Sequence, residues 1–85
     1  MKQLFYALFE DADDKGMQII HFLADPDDAT EDMEWVAYDL LGDTLGELIS
    51  RKNTMGWILS DIYTVTINDR PIVFDEQEIK KKELE

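Results

Sequence analysis

Apolar residues follow two different rhythms along this chain, that of strands and that of a helix. From Leu4 to Phe9 every position is aliphatic or aromatic, which reads as a strand. Leu4, Tyr6 and Leu8 share one side and Phe5, Ala7 and Phe9 the other, so this strand is expected to be covered on both faces or to lie centrally in a sheet. Asp11 to Gly16 is a turn, with Gly16 free to take positive φ. Met17 to Leu23 is a second strand, making residues 4–23 a β-hairpin. Asp25-Pro26-Asp27-Asp28 ends it.

The rhythm then changes to helical. Met33, Val36, Ala37, Leu40, Leu41, Thr44 and Leu48 make one apolar stripe. Asp28 and Glu31 have capping-box spacing, and carboxylates suit the first turn of a helix. Arg51 and Lys52 would favour the far end. Gly42 and Gly46 interrupt the pattern, each costing up to about 1 kcal/mol against Ala. Two readings follow: one helix over residues 29–52, or two shorter ones broken near Gly42. Residues 53–56 make a turn, and 58–67 form a third strand. Asn68-Asp69 is a hairpin turn, and 72–74 form a short fourth strand, placed at an edge by Pro71. Residues 76–85 are expected to be a charged tail that frays or forms a loose terminal helix. The sum is a single α+β domain over 1–75 in ββαββ order, an antiparallel sheet packed on one face by the central helix.

Composition supports a folded chain: 45% hydrophobic and 11% aromatic residues are too many for a disordered acidic segment. The 85 residues contain no cysteine, so disulfide and thiolate chemistry are excluded. The apolar run at the start is short and meets Glu10 and Asp11 without a small-residue cleavage site, unlike a signal peptide. No stretch approaches the roughly 20 apolar residues of a membrane span. A soluble, cytoplasmic protein is expected.

Charge adds a sharper constraint. Between Glu10 and Glu47 thirteen carboxylates meet one base, Lys15; elsewhere seven acidic residues balance seven basic ones. The net charge of −12 therefore belongs to one central segment. Such a field repels nucleic acid and anionic membrane and attracts basic protein surfaces. If the helix is continuous, Asp32, Asp39, Asp43 and Glu47 project on one side. Asp39, Asp43 and Glu47 fall at i, i+4 and i+8, about 6 Å apart along the axis, on the scale of neighbouring phosphates on a nucleic-acid strand. Asp13, Asp14, Asp27 and Asp28 in the two acidic turns would extend the array. The competing reading is a solvated helix face that serves solubility.

With these carboxylates on a helix and loops of a small cysteine-free domain, the chain resembles phage-encoded DNA-mimic inhibitors of the anti-restriction, anti-CRISPR and uracil-DNA glycosylase inhibitor kind. The resemblance covers size, charge and coarse element order and involves no aligned motif, so no functional position is carried over. It implies a partner that handles nucleic acid and offers it a basic channel.

Other constellations point less far. Asp11-Ala12-Asp13-Asp14-Lys15-Gly16 starts like an EF-hand loop but has Lys15 at position five and Phe22 at position twelve, so it reads as an acidic β-turn. Trp35, Tyr38, Gly42, Gly46 and Ile49 fall together off the main stripe. They suit a self-association surface, with burial inside the domain or a kink as the alternatives. His21 is the only histidine, and Ser50 and Ser60 have no base near them in sequence. No phosphate loop, zinc spacing or nucleotide fingerprint is present. The expected function is a non-enzymatic protein, without cofactor or metal, that engages a basic surface of a nucleic-acid-handling protein. The alternative is a homodimeric assembly module built on the Trp35–Gly46 surface.

Overall fold

A computed structural model describes residues 1–13 and 16–75. The fold is α+β, one helix packed on an antiparallel sheet. Strands β1 (Lys2–Asp11) and β2 (Met17–Ala24) form the expected hairpin, in register from Gln3↔Ala24 to Glu10↔Met17. The Asp11 N–H donates to the Gly16 carbonyl at 2.9 Å and closes the turn. Helix α1 (Thr30–Leu45) follows, then β3 (Trp57–Thr64) on the other side of β1. So β1 is central, one of the two placements its doubly apolar sequence allowed. A bulge at Ser60, where Leu8↔Asp61 gives way to Phe9↔Leu59, shifts the β1–β3 register by one residue.

The end of the chain is more broken than ββαββ. β4 (Thr66–Ile67) and β5 (Arg70–Pro71) make a separate small hairpin, and β6 (Val73–Phe74) returns to pair with Lys2 and Gln3. Asn68 and Asp69 both have positive φ, 52° and 63°, as a two-residue hairpin of this hand requires. The tail expected over 76–85 lies outside the described residues.

The core occupies the face of the sheet under α1. Phe5, Ala7 and Phe9 from β1 meet Ile20, Phe22 and Ala24 from β2, and α1 closes over them with Met33, Ala37, Tyr38 and Leu41. Phe5 stacks on Phe22 at 5.9 Å, and Phe9 meets the Tyr38 ring edge-on at 5.0 Å. Ala7 and Ala37, both fully buried, keep the two layers close where larger side chains would hold them apart. The buried helix stripe is rotated from the expected one. Val36 and Thr44 point outward, Leu48 is 94% exposed beyond the helix, and Tyr38 and Gly42 are buried instead. Hydrophobicity alone placed Val36 inside; the aromatic ring and the closest backbone approach took that face.

The helix ends are also corrected. Its N-cap is Ala29, with no side-chain cap, so the Asp28–Glu31 box does not form. The Asp28 carboxylate instead accepts from the Asp25 N–H at 3.1 Å. At the other end the break falls at Gly46, not Gly42. Gly46 adopts φ 69°, a left-handed cap, and the following Glu47 N–H donates to the Gly42 carbonyl at 2.9 Å. Residues 47–53 then fold back along the helix.

Among the described residues, no helix or second sheet covers the opposite face of the sheet. Cross-strand rows run Leu23–Leu4, His21–Tyr6–Tyr63, Ile19–Leu8–Asp61 and Met17–Glu10–Ile58. Tyr6 lies 5.0 Å from the Tyr63 ring and 5.9 Å from the His21 ring. Leu4, Tyr6 and Leu8 are half-buried there.

Candidate functional site

The residues exposed on the outside of α1 define the candidate site. Asp32, Val36, Asp39 and Asp43 are all exposed and recur at i, i+4, i+7 and i+11, one stripe facing away from the sheet. The rise from Asp39 to Asp43 is about 6 Å, and from Asp32 to Asp39 about 10 Å. Val36 sits between the carboxylates, 45% exposed. This face is therefore an acidic stripe with one apolar contact point near its middle. Glu47 does not continue it. The chain has already turned at Gly46, so Glu47 is exposed on the returning segment rather than one helical turn past Asp43.

No base neutralises the stripe among the described residues. Both ion pairs there belong to Arg51, which reaches Glu31 at 2.8 Å and Glu34 at 3.1 Å. The hydrogen bond to Glu34 holds the Arg51 guanidinium above its ordinary pKa, with the charges of Glu31 and Glu34 adding to it. Arg51 and Lys52 also lie 5.8 and 5.9 Å from the centre of the Trp35 ring. The two bases expected at the C-terminal end of a long helix thus serve its N-terminal half. Sequence order hid this, because Glu34 and Arg51 are brought together only by the reversal at Gly46.

The supporting turns are divided. Asp27 and Asp28, both exposed, directly precede α1 and adjoin the Asp32 end of the stripe. The Asp27 N–H donates to Asp25 at 2.9 Å, so this loop is internally ordered. Asp13 lies at the other end of the hairpin, a β2 length of about 25 Å away. Its N–H donates to Asp11 at 2.9 Å. Asp14 lies outside the described residues. Among the described residues, no group of three or more His, Asp or Glu side chains is placed to hold a metal ion.

The proposed self-association surface is corrected more fully. Tyr38, Gly42 and Ile49 are buried in the domain's own core, Trp35 is half-buried beside Arg51 and Lys52, and only Gly46 is exposed. The Tyr38 hydroxyl accepts from the Leu59 N–H of β3 at 3.3 Å. A Cβ on Gly42 would meet the Glu47 carbonyl at 2.8 Å and the Ile49 backbone at 3.2 Å. The small-residue groove is real, but the returning segment fills it.

Comparison with family models, with curated proteins and with solved structures finds no match. Among the described residues no helix is long and apolar enough to cross a membrane.

Proposed function

We infer that this chain is a non-enzymatic acidic binding protein that presents the outer face of α1 to a basic surface on a nucleic-acid-handling protein, and that it works in the cytoplasm. The supporting observation is the stripe of Asp32, Asp39 and Asp43, exposed and without an ion pair among the described residues. Unpaired like charges along a helix cost a few tenths of a kcal/mol per pair, and a cationic partner turns that cost into attraction. Asp27 and Asp28 lengthen the array at its N-terminal end, and Val36 supplies the apolar contact that pure charge lacks. The role of each carboxylate is complementarity, so effects accumulate over the set.

The test is capture of a nucleic-acid enzyme from bacterial lysate at low salt, repeated with added duplex DNA and with the D32N/D39N/D43N variant. Capture should fall when DNA competes for the same channel, fall as salt rises, and vanish for the triple variant. Capture that ignores both DNA and the three substitutions would remove this reading.

A further inference from the structure

We propose that the sheet face opposite α1, bare among the described residues, is the contact surface for a second copy of this chain, giving a homodimer of two sheets packed face to face with the helices outermost. Ile19 and Ile58 are 54% and 55% exposed on this face, and Tyr63 and Leu23 stand beside the Tyr6–His21 row. Together with Met17, 60% exposed on the same face, these side chains leave on the order of 500 Å² bare, within the range for the largest apolar patch on a monomer, a patch that is often functional. A standard interface buries about 800 Å² per partner, so the face supplies most of what a modest dimer needs. Two sheets stacked about 10 Å apart would interdigitate these rows as in a sandwich core.

Charge favours a second copy over a basic partner here. Among the described residues of β1, β2 and β3, this face carries two carboxylates, Glu10 and Asp61, each toward the end of its rows nearer the β1–β2 turn. Asp61 is also turned to its own backbone, accepting from the Ile62 N–H at 2.8 Å. A cationic partner would find its match on α1, on the other side of the molecule. Two copies meeting here keep their acidic helices apart, which is the arrangement that lets two chains of charge −12 associate.

Sedimentation velocity across micromolar concentrations tests the proposal. The expected result is a concentration-dependent dimer that tightens as salt screens the mutual repulsion, opposite in sign to the salt dependence of binding through α1. Ile19→Asp and Ile58→Asp, each with unchanged circular dichroism, should weaken the dimer at least tenfold, while D32N/D39N/D43N should not weaken it. If either aspartate variant fails to fold, Ile19→Ser and Ile58→Ser replace them, with at least threefold weakening expected. A chain monomeric at all concentrations and salt levels overturns the proposal. So does a dimer sensitive at Ile19 but not at Ile58, which would mean pairing along the free edge of β2. None of these outcomes depends on the nature of any other partner.

Discussion

Replacing Gly42 with alanine separates internal packing from an open groove. In an ordinary exposed helix this change stabilises by up to about 1 kcal/mol, because glycine loses more backbone freedom on folding. Here the new Cβ would stand 2.8 Å from the Glu47 carbonyl and 3.2 Å from the Ile49 nitrogen and oxygen. Those are backbone atoms of a segment anchored by the Glu47 N–H bond to Gly42 and by buried Ile49. They cannot rotate away, so the segment must lift. Overpacking of this kind costs about 1–3 kcal/mol and exceeds the propensity gain. A net loss near 1–2 kcal/mol corresponds to a fall in melting temperature of roughly 5–15 °C for a domain of this size. Thermal unfolding followed by circular dichroism, at one fixed protein concentration, reads it. Gly46→Ala is the comparison: its Cβ meets nothing within 4 Å, and its cost comes only from φ 69°, about 1–2 kcal/mol. Gly46→Asn should recover part of that loss, whereas Gly42→Ser should recover nothing. A Gly42→Ala protein as stable as the parent, or more so, would show that residues 47–49 do not rest on the helix.

Four further outcomes are expected. Asp39→Asn/Asp43→Asn should raise stability slightly at low salt, by a few tenths of a kcal/mol for the relieved i, i+4 repulsion, with the gain fading at high salt, whereas Asp32→Asn should lower it, because its carboxylate favours the first turn of α1; a stability loss for the Asp39/Asp43 pair in urea titrations would mean these two carboxylates have partners. Tyr38→Phe should cost about 1 kcal/mol, since the half-buried Leu59 N–H loses its acceptor, and denaturant midpoints check it. Arg51→Ala should change Trp35 emission, measured with Trp57 replaced by phenylalanine, because the cations beside the ring define its surroundings. Because the Arg51 pKa is raised in the fold, its contribution is full below the ordinary arginine range and is lost only as pH climbs through the raised value; the stability difference between parent and Arg51→Ala, measured by urea unfolding, should therefore be flat from about pH 6 to 9.

Local physics made much of this molecule legible before any coordinates. The β1–β2 hairpin follows from two apolar runs around an Asp- and Gly-rich turn, and the Asn68-Asp69 turn from side chains that tolerate positive φ. The helix follows from its period, and the concentration of acid in residues 10–47 from counting. Of the acidic stripe, Asp32, Asp39 and Asp43 were readable because positions i, i+7 and i+11 share a face within any single helix.

What required tertiary structure was the fate of everything past Gly46. One left-handed residue ended the helix, detached Glu47 from the stripe, filled the Gly42 groove with Ile49 and carried Arg51 back to Glu31 and Glu34. A single backbone angle has no signature in hydrophobic period, yet it redirects every residue that follows. Likewise, Leu4, Tyr6 and Leu8 were apolar enough to suggest cover on both faces, but the one helix among the described residues covers the other face. Pairing is set locally by strand chemistry; which face stays bare is set by how many layers the whole chain can build.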